Sequence, residues 1–333
     1  MWDFSLSKAI GAVIRTAPFV ILRMIVYFGI GIAYVLTVGI GSAVGYGFGH
    51  ISANPDAPVS GAFWGGAIGF GLTSAVLYFA REYILYLVKA AHIACLVEIL
   101  DGKPIPGGQG QVSYGAKFVQ THFAEASVLF GVDQIIKGVL RALFRIINVI
   151  SAFLPIPGLQ GVVQIVEGVI KMSLTYVDEV LLGYLIRTRT TNPWDTAKDG
   201  LILYAQNYGH FVKNAIWLSL FMWVLTFVIF LVFLAPVAGL VALFPGNATF
   251  WGFAIAFIFA WAFKAAFLEP VAVTALMQVF FKTIEGQTPN AEWEQRLSTA
   301  SKQFGQLAQK ASGWIPRPGV SPVEGAASAG KTA

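Results

Sequence analysis

MIVYFGIGIAYVLTVGIGSAVGYG, residues Met24 to Gly47, contains no charged side chain and follows Lys8, Arg15 and Arg23. At about 1.5 Å per residue it is long enough to cross a hydrocarbon core of roughly 30 Å. A cleaved signal peptide has a shorter apolar core and a small-residue cleavage site, whereas this run ends in a glycine-rich stretch, so it reads as a retained span. GAFWGGAIGFGLTSAVLYFA, residues Gly61 to Ala80, follows a loop whose only charge is Asp56, and it ends at Arg81 and Glu82. Basic residues flank the open ends of this hairpin and not its loop. By the positive-inside bias, the hairpin opens to the cytoplasm.

Both segments carry glycines four apart: Gly41, Gly45 and Gly49 in the first, Gly61, Gly65 and Gly69 in the second. Residues at that spacing share a helix face, and a face without side chains lets two backbones approach closely. The six glycines are therefore helix-packing candidates, either within an antiparallel hairpin or at an oligomer contact or pore.

The composition agrees with this reading. Of 333 residues, 56% are hydrophobic and 12% charged, and the mean hydropathy is +0.70, well outside the range of soluble domains. The net charge of +5 is modest, with basic residues mainly at the ends of apolar runs. That pattern suits topology and headgroup contacts rather than nucleic-acid binding. The single cysteine, Cys95, excludes an intramolecular disulfide and a cysteine-based metal cluster.

The far end repeats the arrangement. Apolar runs Leu218 to Leu243 and Phe250 to Phe281 are joined by an uncharged turn, and Lys282 with a polar tail follows. Lys264 and Glu269 in the last run are an ionisable pair in a spanning segment. They lie about 20 and 28 Å from Phe250 and about 140° apart on an ideal helix, so snorkelling or wetting near the inner boundary is the plainer reading.

Between the hairpins, Asp133, Lys137, Arg141 and Arg145 recur every four residues on an otherwise apolar rod. After Pro155-Ile-Pro-Gly158, a second rod carries Gln160, Gln164, Glu167, Lys171, Thr175 and Asp178 in one stripe. Folded back on each other, the rods bring Arg141 and Arg145 level with Glu167 and Lys171. This central region reads as a membrane hairpin, spanning or re-entrant, or as two interfacial amphipathic helices, and not as a soluble domain. The candidate residues of a transport path are Arg141, Arg145, Glu167, Lys171, Asp178, Glu179, Lys264 and Glu269.

From Ser113 onward, His122, Ser127 and Gly131 precede Asp133-Gln-Ile-Ile-Lys137 and Leu140-Arg141. Tyr208-Gly-His-Phe211 then leads into Lys213-Asn-Ala215, and Glu269-Pro-Val-Ala-Val-Thr274 opens the last apolar helix. In this order, residues 113–285 resemble the C-terminal half of the choline transporter-like family. The aspartate of that family's last helix and its large extracellular loop are absent. The resemblance implies a membrane transporter-like scaffold without defining a substrate.

His92, Cys95 and Glu98 share a helix face, but such a trio arises easily by chance, and no Walker loop, dinucleotide-binding glycine pattern or zinc-protease helix is present. No cofactor and no enzymatic activity are expected. Trp194, in the polar elbow from Tyr176 to Gly200, suits an interfacial anchor, and Asn290 to Ala311 reads as an amphipathic tail helix.

The expected fold is an all-α integral membrane protein in which two transmembrane helical hairpins flank a central amphipathic hairpin. It divides into an amphipathic N-terminal segment (1–23), the first hairpin (24–80), the central region (81–216), the second hairpin (217–283) and a tail (284–333) disordered from about 315. Both termini are expected in the cytoplasm of a cell in whose inner or plasma membrane the protein sits. Expected partners are membrane lipids and either further copies of the chain or partner membrane subunits, not nucleic acid. Two functions stay open: a transporter or lipid-handling protein with a polar path through the central hairpin, and a membrane-shaping scaffold.

Overall fold

The structure is a computed structural model and describes residues 2–105, 107, 110–122, 126–152, 176–189, 191–241 and 259–315, without the side chains at 77–82, 121–122, 126–127, 143–152 and 237–241. Every regular element among them is helical. The helices are α1 (Leu6–Arg15), α2 (Ala17–Gly49), α3 (Ala57–Leu100), α4 (Gly110–His122), α5 (Ala126–Ala152), α6 (Val177–Thr188), α7 (Pro193–Gln206) and α8 (Tyr208–Val241). A helical turn from Phe259, a π-turn (Lys264–Leu268), α9 (Glu269–Thr283), α10 (Ala291–Ala300) and α11 (Lys302–Ser312) follow.

Among the described residues, five segments are long and apolar enough to cross a membrane: Ala17–Gly49, Ala57–Val76, Tyr83–Leu100, Tyr208–Pro236 and Phe259–Thr283. The second and third belong to one helix. Arg81 and Glu82 do not stop α3, which runs for 44 residues. At 1.5 Å per residue it is about 66 Å long, roughly twice a hydrocarbon core, so it cannot lie wholly in lipid. Burial divides it in the same way: 11% of the Ala57–Val76 window is buried, against 61% of Tyr83–Leu100.

The chain forms two compact units. One comprises residues 19–89 and 226–268. Here the glycine faces of α2 and α3 meet. A Cβ added at Gly41 would fall on the Gly65 carbonyl, one at Gly45 on Gly61, one at Gly49 on Ala57 and one at Gly69 on Thr37. As one partner advances by four residues the other retreats by four, which is antiparallel packing in a single register. The Tyr34 hydroxyl donates to Ser74 Oγ at 3.2 Å across the same pair. Aromatic contacts build the rest: Tyr27 with Trp261, and Phe28 and Phe233 with Phe259. Outward from the glycine line, Ile32, Leu36, Ile40, Phe63, Ile68 and Val76 are exposed, an apolar surface that water would not tolerate.

The other unit comprises residues 1–18, 90–225 and 269–333. Its centre is α6, in which nine of twelve residues are buried, from Val177 to Ile186. Such a helix needs neighbours all round. Gly183 lets Met277 of α9 and Ile93 of α3 approach, and Gly200 of α7 does the same for Leu181 and Tyr184. Around this core α5, α7 and α11 pack on one another, and α1 packs on α9. The described helices of the central region thus pack in one compact body with those near the two ends of the described chain, an organisation that the stripe pattern alone does not disclose.

The expected single tail helix is two helices. Ser301 is extended (φ −142°, ψ 117°), ends α10, and caps α11 by accepting from the Phe304 N–H at 3.3 Å. The break turns Phe304, Leu307 and Ala311 inward. The break expected at Pro155 to Gly158 with most of the second rod, the turn expected at Phe244 to Thr249 with the start of the run from Phe250, and the tail beyond 315 lie outside the described residues.

Candidate functional site

Three apolar helices of the second unit end in charge: Leu100-Asp101 after α3, Ile186-Arg187 near the end of α6, and Phe281-Lys282 near the end of α9. Together with the segment leading into α1 they line an open cleft of about 710 Å³, a volume typical of small-molecule sites. Phe4, Leu100, Tyr184, Phe281 and Ile284 supply its apolar walls. The charges come from Asp3, Lys8, Asp101, Arg187, Lys282 and Glu285. Burial raises the pKa of the Tyr184 phenol, with Asp199 adding to the shift, so it stays a hydrogen-bond donor at neutral pH.

Several of these groups are held in place. Arg187 Nε donates to Asp101 Oδ1 at 2.9 Å, and its guanidinium lies 4.4 Å from the Phe281 ring centroid. Lys103 Nζ reaches both Asp101, at 3.6 Å, and the buried carboxylate of Glu98, at 3.7 Å. Glu98 also accepts from Arg189 Nη2 at 2.7 Å. Arg189 makes this bond from a left-handed backbone position (φ 48°) at the end of α6. The floor is pinned by a reciprocal pair: Ser5 N donates to Gln278 Oε1, and Gln278 Nε2 donates back to Ser5 O.

At one rim, Asp3 leaves the cleft to join the start of α8. Lys213 Nζ lies 2.8 Å from Asp3 Oδ2, Asn214 Nδ2 donates to the same oxygen at 2.9 Å, and His210 Nε2 lies 3.2 Å away. These bonds, led by the one from Lys213, hold the Asp3 carboxyl down at about 2. Beside them Trp2 packs edge-on against Trp217 and Phe221. One turn further along α8, Leu220, Trp223 and Val224 are exposed. The sequence Lys213, Trp217, Leu220 is that of a helix passing from headgroups into lipid.

The residues expected to form a transport path are distributed differently. Lys137 Nζ pairs with Asp133 at 2.8 Å and with Asp178 at 3.6 Å, so the two stripes do meet at their described ends. Asp178 and Glu179 are buried in the first turn of α6. They lie roughly 14 Å along its axis from Arg187 and the cleft. Arg141 is exposed on α5. Arg145 lies within α5 but its side chain is not described, and Glu167 and Lys171 fall outside the described residues.

Lys264 opens the π-turn, and Glu269 follows it. Both are half-buried. The 140° offset of an ideal α-helix does not apply there, because i→i+5 bonding winds residues five apart through about one turn. The physical cause is Pro270, which has no N–H to give to an α-helical ladder.

His92, Cys95 and Glu98 each bond to protein: His92 Nε2 with the Thr16 hydroxyl at 2.8 Å, Cys95 Sγ toward Gln111 O at 3.7 Å, and Glu98 with Arg189. Among the described residues no group of three or more His, Cys, Asp or Glu is placed to hold a metal.

Of the cleft's charged residues, none was among the path candidates. The signal available was the charge that directly follows each apolar helix, and it reads equally well as a topology mark. No protein-family model, curated protein or solved structure matches the chain.

Proposed function

We propose that this chain is an integral membrane protein that handles lipid, with the cleft taking a lipid headgroup. The observation that carries the reading is the position of the cleft. Its rim residue Asp3 is bonded to Lys213, and beside it stands the Trp2, Trp217 and Phe221 cluster where α8 turns apolar and exposed. Amphipathic aromatic rings and a lysine at that point mark a headgroup layer. Both termini are on the cytoplasmic side in this reading, with the turn after α2 on the other.

A second reading, a scaffold without transport, draws on the Asp133, Lys137 and Asp178 cluster. Charges paired with one another and packed in a protein core serve structure better than conduction.

Photo-crosslinking separates the two. With a photoreactive group placed at Tyr184 in the protein reconstituted into native-like lipid, lipid handling predicts lipid adducts at that position, well above those at exposed Lys302 on α11. Equal labelling at both positions would refute a headgroup site and leave the scaffold.

A further inference from the structure

We infer that the cleft is a phosphate site, built for a phosphate ester with an apolar body. The inference rests on the lipid-handling reading for the source of the ligand, but not for its chemistry. The argument is one of charge left over after internal pairing. Asp3 is neutralised by Lys213, and Asp101 is shared by Arg187 and Lys103. Glu98 and Arg189 cancel each other. Lys8 and Lys282 are exposed and make no ion pair among the described residues, and the same holds for the single carboxylate set against them, Glu285. Five cations, counting Lys103 and Lys213, therefore stand against three carboxylates, and the surplus of two is divided: one charge where Arg187 and Lys103 share Asp101, one where Lys8 and Lys282 face Glu285.

Their placement suits one anion. Lys8 lies on α1 and Lys282 on α9, the two helices tied together by Ser5 and Gln278, so both project from elements fixed at the same floor. Arg187 is held by Asp101 through Nε alone and by the Phe281 ring, which leaves its terminal nitrogens as donors of fixed orientation. A planar fork beside two point charges is the usual equipment for a tetrahedral oxyanion. Tyr184, Phe4 and Ile284 then offer apolar wall to whatever the phosphate carries.

The test uses the full-length protein in nanodiscs of phosphatidylcholine, titrated with glycerol 3-phosphate and, separately, prepared with and without phosphatidic acid. Occupancy is read as adducts from a photoreactive group at Tyr184. Binding of either probe is expected, and the double variant K8A/K282A should weaken it by about tenfold for each lysine lost, because each removes one charge-assisted hydrogen bond. K302A should change nothing. Glu285→Gln, which removes the opposing carboxylate, should strengthen binding.

Phosphatidic acid labelling without glycerol 3-phosphate binding identifies a lipid headgroup as the ligand. The converse identifies a soluble phosphate ester and refutes lipid handling while the phosphate site stands. Phosphatidylcholine adducts that phosphatidic acid does not displace, and that K8A/K282A leaves unchanged, would overturn the phosphate inference and leave lipid handling intact. Binding unaltered in K8A/K282A, or no binding of either probe, would also overturn it.

Discussion

Gly45 and Gly47 lie two residues apart in one apolar helix and have opposite roles. A Cβ at Gly45 would fall on the Gly61 backbone, and one at Gly47 would meet nothing within 4 Å. Backbone cannot swing aside as a side chain can, so Gly45→Ala should cost about 1–3 kcal/mol, the range for overpacking a fitted contact. Gly47→Ala should be neutral or slightly stabilising. Thermal unfolding of the two variants in the same detergent checks the contrast, and equal effects would mean that the glycine line is not a packed face. Asp3 gives a second prediction at this scale. Its carboxyl titrates at about 2 when folded against an ordinary 3.8, so the charged form stabilises the fold. That contribution is complete above 3.8 and disappears as the pH falls through 2. The stability difference between the wild-type protein and Asp3→Asn should therefore shrink toward zero as the pH falls from about 4 to about 2. A difference that stays constant through this range would mean that the Lys213 bond is not made in solution.

Among the elements, α11 is the clearest case of a largely polar segment that carries a buried stripe. Phe304 and Leu307 are fully buried, and the helix packs on α5 and α7. Asn192 Nδ2 donates to the Ala311 carbonyl at 2.9 Å, and Trp314 Nε1 donates to the Thr191 carbonyl at 2.8 Å, closing the far end. Phe304→Ala should remove about 3–5 kcal/mol of docking free energy. The expected readout is new proteolytic cleavage between 284 and 302 while the helical content of the remainder is retained. An unchanged digest would mean that α11 is held by its polar contacts alone. The amphipathic pattern of this segment was legible in the sequence because its period is local. Its division at Ser301 was not, because the reversal in backbone direction is favoured only once Phe304 has a core to enter.

For the molecule as a whole, Cys95 provides an internal reference. It is buried, so the wild-type protein should resist maleimide until it is denatured. Single cysteines at Asn54 and Glu292, both exposed, should then label from opposite sides of a reconstituted membrane. Labelling of both from one side would refute the proposed topology. The all-helical class, the long apolar helices and the glycine spacing of α2 and α3 were legible before any folding, since each is written in hydrophobic period or residue spacing within one segment. Tertiary structure alone decided which apolar stretches face one another: Tyr83–Leu100 and Phe259–Thr283 are apolar enough to span a membrane yet are mostly buried in protein. Hydropathy cannot separate these cases, because a helix sealed in protein and a helix bathed in lipid both shed water. The cleft was hidden for a related reason. Lys8, Asp101, Arg187 and Lys282 come from four distant segments, and their convergence depends on the mutual packing of α1, α3, α6 and α9, which no local pattern records.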